Sequence, residues 1–266
     1  MDYNLSTGIQ KYQEKEHTGM DIIKLWYDGS ESDWKSALDE YNEMPSVKRN
    51  KEKEERMRNL DPESVRKMSV QEFYRFLYND YFVWKYTANN RLATTRKHLK
   101  RYEAEGMSPL KKIQQDIFDA FSNNPNDTKE LFNITIQIHG LGTAGVSGLL
   151  AVLFPEYYGT IDQFVVYALR KLNLPEQSVL EKMNPEGLTE RNAVDLETIL
   201  RRKANELNKK FNSTFWTPKR IDMVLWTYRE KLTAYNNIAS AIEKYGAALT
   251  EEERNELSEK ILECKQ

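Results

Sequence analysis

One stretch constrains the fold more than any other: residues 131–154, LFNITIQIHGLGTAGVSGLLAVLF. Its apolar residues fall into two blocks separated by Gly140-Leu141-Gly142. Spacing predicts a helix ending at Gly140 and a second helix beginning near Thr143. Gly140 and Gly142 tolerate positive φ and carry no Cβ, so the chain can turn sharply there and another backbone can approach closely. Leu141, the one apolar residue between them, is expected to tuck between the two helices. Gly145, Gly148 and Ala151 slim one face of the second helix, so that another helix can pack near it.

Such a turn has a chemical consequence. The first amides of the second helix point outward without intrahelical partners, and the positive end of the helix dipole lies behind them. That makes an anion site built from main chain, blind to base sequence and suited to a phosphodiester backbone. The residues that would form it are His139, Gly140, Leu141, Gly142, Thr143 and Gly145. The alternative is an ordinary glycine turn between two buried helices. His139 could touch phosphate or serve the dipole at a helix C-terminus.

The rest of the chain reads as α-helix, because apolar residues recur at three- and four-residue steps and long alternating runs are missing. Ser69 and Glu72 form a capping box ahead of Val70, Phe73, Phe76, Leu77 and Tyr81. Ser108-Pro109 opens a helix bearing Ile113, Ile117 and Phe121. Asp127 is placed to cap the helix running to about Ile138. Further helices carry Ala193, Leu196, Leu200, Ala204 and Leu207, and, after Thr217-Pro218, Ile221, Val224, Leu225 and Tyr228. Thr250 is placed to cap a final acidic helix, EEERNELSEKILE. Residues 1–60 read as a charged N-terminal extension, packed on or tethered to a helical body over 61–232. The two helices around the glycine turn occupy about 127–154, and residues 233–266 form a C-terminal addition.

Several functions are excluded by what the chain lacks. Cys264 is the only cysteine, so a four-cysteine iron–sulfur site and internal disulfides are impossible. His17, His98 and His139 are not at metal-ligand spacing. Phosphate-loop, dinucleotide and serine-elbow motifs are missing. No apolar run reaches membrane-span length. The N-terminus lacks the apolar core of a secretory signal, so a cytoplasmic location is expected, nucleoid-associated in a prokaryote. The net charge is −2, but residues 46–115 hold 17 Lys/Arg against 9 Asp/Glu, while 116–165 hold 1 against 6. The basic block could face a polyanion, or it could be a set of solvated helix faces.

Beyond the glycine turn comes the loop Pro155-Glu156-Tyr157-Tyr158-Gly159-Thr160, and then Asp162, eighteen residues after Ala144. Residues 127–172 thereby resemble the helix-hairpin-helix/Gly-Pro-Asp superfamily of base-excision DNA glycosylases, which includes endonuclease III and the adenine and alkylpurine glycosylases. The resemblance implies an all-α glycosylase-like fold, double-stranded DNA as partner, a monomer, and Asp162 as the catalytic aspartate. It calls for no cofactor; the one ion the hairpin could hold is a monovalent cation. Bifunctional members carry a sugar-attacking lysine in the hairpin, and Ala144 stands there in this chain. Thr160-Ile161 replaces the proline that precedes the family's aspartate. These departures imply a monofunctional glycosylase without lyase activity. They also fit a member that keeps DNA binding without chemistry, as in DNA maintenance or defence. A plain helical interaction protein is a further alternative.

Breaking an N-glycosidic bond builds positive charge on the sugar, which a carboxylate at the anomeric carbon stabilises while it orients water. Asp162 is also a good N-cap for the helix carrying Val165, Ala168 and Leu169, and the two roles are compatible. An enzyme that extrudes a base must hold it on aromatic faces and read its edge. Trp84 and Tyr86 could stack, Lys85 and Asn89 could hydrogen-bond, and Arg91 continues a basic helix. Tyr157 and Tyr158 could border the same pocket or pack beneath the loop. The alternative is that these aromatics are core. Lys85 has one further possible role, as a replacement amine nucleophile.

Overall fold

A computed structural model describes residues 21–229 and Thr250; the acidic C-terminal helix expected after Thr250 and the first 20 residues lie outside them. The described residues contain helices and no strands, which establishes the all-α class. Caps set many of the boundaries. Asp21 caps α1 (Ile22–Asp28), and a Ser30–Asp33 capping box opens α2 (Glu31–Glu43). Two short helices follow, α3 (Pro45–Arg49) and α4 (Lys51–Arg58). Asp61 caps α5 (Pro62–Lys67).

The Ser69–Glu72 capping box opens a single rod that changes character along its length. It begins as α6 (Val70–Arg75), widens into a π-helical segment (Phe76–Tyr81), and closes as α7 (Phe82–Lys85). A π segment loosens the regular ladder, and Arg96 takes up the Tyr78 carbonyl at 3.0 Å. Its guanidinium also lies 4.4 Å from the Tyr78 ring centroid. Arg96 sits on α8 (Asn89–Leu99), followed by α9 (Arg101–Glu105).

Next come α10 (Ser108–Asn123) and α11 (Thr128–Thr135), the latter capped by Asp127 through the Glu130 amide at 3.0 Å. The apolar helix expected to reach Gly140 stops at Thr135 and continues as turns. Across the turn, α12 (Thr143–Leu153) begins where expected. Every residue from Gly145 to Leu153 is buried, so α12 is the central helix of the fold, apolar on all sides.

Four helices follow, α13 (Gln163–Arg170), α14 (Gln177–Lys182), α15 (Glu190–Phe211) and α16 (Pro218–Thr227); α15 packs on α12, α16 packs on α15 and α13, and α14 packs on α13. Residues 21–60 contribute to the same core. Trp34, 1% exposed, meets the Trp216 ring edge-on at 5.6 Å between centroids, and α2 packs along α16. Lys203 of α15, almost wholly buried, reaches back to the Trp26 carbonyl at 2.6 Å. No helix among the described residues is long and apolar enough to cross a membrane.

Candidate active site

The loop that delivers Asp162 is held amide by amide, each time by a buried side chain of a different helix. Glu197 Oε2 on α15 accepts the Gly159 N–H at 3.0 Å. Asp222 Oδ2 on α16 accepts the Thr160 N–H at 3.0 Å. Ser147 Oγ on α12 accepts the Ile161 N–H at 3.0 Å, and its hydroxyl lies 3.1 Å from the Ile161 carbonyl. Lys219 braces the arrangement through Thr160 Oγ1 at 2.9 Å and Asp222 Oδ2 at 3.0 Å. A Cβ on Gly159 would stand 2.6 Å from Leu200 and 2.9 Å from the Pro218 carbonyl, so only glycine fits the loop this close to α15 and α16.

Glu197 is an unusual member of this clamp. Full burial pushes its carboxyl up to about 8, and the Gly159 N–H offsets this only in part. It therefore keeps its proton at neutral pH. Its second oxygen, Oε1, has no partner among the described residues.

Asp162 follows, and its two carboxyl oxygens have different duties. Oδ1 caps α13, accepting from Phe164 N–H at 2.8 Å and Val165 N–H at 3.3 Å. Oδ2 makes no hydrogen bond among the described residues. The cap and a carboxyl oxygen without a hydrogen bond among the described residues thus coexist on one side chain. Burial raises the pKa of Asp162, while the positive charge of Lys85 pulls it back down.

Lys85 reaches this neighbourhood from the π-containing rod. The slim face of α12 receives side chains here rather than another helix backbone. A Cβ on Gly148 would lie 3.1 Å from both Cδ and Cε of Lys85 and 2.8 Å from Tyr81 Oη. Tyr81 Oη donates to the Gly145 carbonyl, and Tyr86 Oη occupies the space beside Gly145. Burial brings the Lys85 amine down to about 8; Asp162 opposes that shift and Lys219 adds to it. Lys85 makes neither an ion pair nor a hydrogen bond among the described residues. Trp84, beside it, has a buried indole N–H without a partner and lies 5.5 Å from the Lys219 ammonium.

No protein-family model, curated protein or solved structure matches the chain.

At the glycine turn, only Gly140 adopts positive φ (95°), and a Cβ there would stand 2.6 Å from the Thr95 carbonyl of α8. Gly142 has φ −106° and open space where a Cβ would be, so neither its backbone conformation nor its neighbours require glycine. Leu141 is buried and faces Gly145. Gly142 stands as N-cap of α12 without a side-chain cap, leaving the Thr143 and Ala144 amides outward. His139 is turned toward the protein: its ring stacks on Tyr102 at 4.4 Å, and Nε2 lies 3.0 Å from Glu105.

The residues read from the sequence divide into those the fold gathers and those it scatters. Tyr86 and Lys85 meet α12 at Gly145 and Gly148, Lys85 within electrostatic reach of Asp162, while Trp84 packs against Tyr81. Asn89 and Arg91 are exposed at the start of α8. Tyr158 lies elsewhere, buried with its hydroxyl on the Pro125 carbonyl at 2.9 Å and Arg201 over its ring. Tyr157 packs edge-on to Phe121. Both tyrosines therefore brace the loop from beneath.

Sequence reasoning missed Glu197, Ser147 and Lys219, and assigned Asp222 no part in the site. One signal was available. Glu197 lies on the stripe Ala193, Leu200, Ala204, Leu207 of α15, a carboxyl at a core position. Among the described residues no group of His, Cys, Asp or Glu is arranged to hold a metal ion.

Proposed function

We propose that the protein excises an altered or modified base from duplex DNA by hydrolysing its N-glycosidic bond. The observation that carries this reading is the divided carboxyl of Asp162, with Oδ1 fixed by the α13 cap and Oδ2 left for chemistry. Ser147 ties the Asp162 loop to α12, and the glycine turn opens the same helix five residues earlier, about 7 Å along its axis. One rigid helix therefore joins the backbone-gripping turn to the reactive carboxylate. Gly142, which nothing inside the protein requires to be glycine, leaves room for a phosphate at the outward amides.

In the reaction, turn and basic α8 residues hold the strand, and the extruded nucleotide enters beside Trp84. As the base departs, Oδ2 stabilises the positive sugar and directs water to it. The test is single-turnover excision from duplexes each bearing one deaminated, alkylated or oxidised base. Wild type is expected to leave abasic sites in at least one duplex, and Asp162→Asn to slow this by about 10²–10⁴-fold. Salt-dependent duplex binding without excision in any duplex would overturn the enzyme reading and leave a non-catalytic DNA-binding module.

A further inference from the structure

We propose that Glu197 is a positioning residue: the proton on its buried carboxyl keeps the loop that carries Asp162 closed, and loss of that proton opens the loop. Two carboxyls from neighbouring helices hold consecutive amides of this loop. Glu197 Oε2 takes the Gly159 N–H and Asp222 Oδ2 the Thr160 N–H, each at 3.0 Å. Both side chains are buried, Glu197 completely. Among the described residues one ammonium is bound to the pair. It is Lys219 Nζ, 3.0 Å from Asp222 Oδ2 and 2.9 Å from Thr160 Oγ1. Arg201 faces Glu197 from its own helix but is committed to Thr128 Oγ1 at 2.7 Å and the Tyr157 carbonyl at 3.5 Å. Tyr158 faces it from the loop, with its hydroxyl on the Pro125 carbonyl. Two further helices pack on α15: α12 carries no titratable side chain, and Lys129 and Glu130 of α11 are exposed.

Two buried negative charges around one bound cation are not sustained away from water, so the carboxyl without an ion pair keeps its proton. Glu197 Oε1 sets the sense of the effect, because it has neither solvent contact nor a hydrogen-bond partner among the described residues. A neutral carboxyl bears this at modest cost. A carboxylate would leave a charged oxygen without donor or water, with Asp222 repelling it. The closed loop has no room to admit water: a Cβ on Gly159 would stand 2.6 Å from Leu200 and 3.2 Å from Asp222 Cβ. Relief therefore requires the loop to lift from α15 and α16, and Asp162 lies three residues beyond Gly159 on that loop. Once lifted, Glu197 meets water and ionises near its ordinary value of 4.5 rather than about 8. Between those values opening releases a proton and becomes easier by up to about tenfold per pH unit; above 8 the dependence ends. Only the consequence for excision rests on the preceding reading; the response of the loop does not.

The experiment follows amide hydrogen exchange of Gly159, Thr160 and Ile161 by NMR in the full chain from about pH 5 to pH 9, corrected for the intrinsic pH dependence of exchange. In wild type these amides should open more readily than those of α12, which report global unfolding. Their opening constant should rise by up to about tenfold per pH unit and level off near 8. Glu197→Gln still offers Gly159 an acceptor and cannot ionise, so its loop opening should not vary with pH. In parallel, kcat for excision should fall from about pH 6 to 8 in wild type at unchanged duplex Kd, and fall less in Glu197→Gln. Wild-type loop amides that open without pH dependence, or only as slowly as α12, overturn the proposal whether or not the variant folds. So does a pH dependence of opening or of kcat that Glu197→Gln leaves unchanged. Excision by wild type with pH-independent loop opening removes this proposal alone. Loop opening that follows pH in wild type and not in Glu197→Gln, without excision of any base, sustains the proton's hold on the loop and removes the glycosylase reading instead.

Discussion

Lys85 and Asp162 lie close enough to shift each other's protonation, yet they form no ion pair. Each is desolvated, and each partly relieves the other. Contact would have quenched both groups, whereas separation leaves the Asp162 Oδ2 and the Lys85 amine without a hydrogen-bond partner among the described residues.

The amine should titrate near neutrality. Burial brings Lys85 to about 8, with Lys219 pushing in the same direction and Asp162, Asp222 and Glu54 opposing. Labelling of the Lys85 amine by a water-soluble acylating reagent, read by mass spectrometry, should therefore rise with pH through about 8 and level off above it. Replacing Asp162 by Asn removes a negative charge that favours the ammonium, so the midpoint should move to lower pH. A midpoint near the ordinary lysine value of about 10.4 would contradict the burial of this side chain.

Glu197 should make stability fall with pH. Its unfolded carboxyl ionises near 4.5, whereas the folded one holds its proton to about 8. Between those values folding takes up a proton, so this contribution is greatest below 4.5, declines through the window and is constant above 8. A tenfold change in proton affinity is worth about 1.4 kcal/mol, so the decline amounts to several kcal/mol. Glu197→Gln, which still offers Gly159 an acceptor, should flatten the curve of unfolding free energy from denaturant titrations between pH 5 and 8. An unchanged slope would mean that Glu197 is ionised in the fold.

The clamp should matter to catalysis more than to binding. Ser147→Ala leaves the buried Ile161 N–H without its acceptor, at a cost of about 1–3 kcal/mol. Because that amide adjoins Asp162, kcat for excision should fall while duplex Kd stays near wild type. Equal changes in both, or in neither, would place Ser147 outside the positioning of the carboxylate.

The two turn glycines should separate fold from ligand. Gly140→Ala meets positive φ and the Thr95 carbonyl, and should destabilise by about 1–3 kcal/mol. Gly142→Val meets open space and ordinary φ, so the fold should lose at most about 1 kcal/mol. Its duplex affinity should nevertheless drop, with a weaker salt dependence. Unchanged affinity for Gly142→Val would remove the turn from the DNA interface.

Local chemistry made much of the fold legible. The boxes at Ser69 and caps at Asp127, Asp162 and Thr217 are short-range hydrogen bonds, and the sequence displays them directly. The end of α11 at Thr135 was not visible, because the turns to Gly140 remain apolar and Ile138 is buried like a helical residue. Both glycines permit positive φ, and only Gly140 uses it. The clamp was hidden for another reason. Ser147, Glu197 and Asp222 lie 14, 38 and 62 residues from the amides they hold, so only folding brings them to one loop. Lys85 was read from the sequence as a possible hydrogen-bonding residue or amine nucleophile. Its placement depends on the π segment, which periodicity does not announce.

The role proposed for Asp162 is the breaking of N-glycosidic bonds in DNA. Its most direct test is mass spectrometry of free bases released from deaminated, alkylated and oxidised genomic DNA, comparing wild type with Asp162→Asn at matched duplex affinity. At least one altered base should be released by wild type and not by the variant. Release of no base by wild type, or equal release by both proteins, would contradict it.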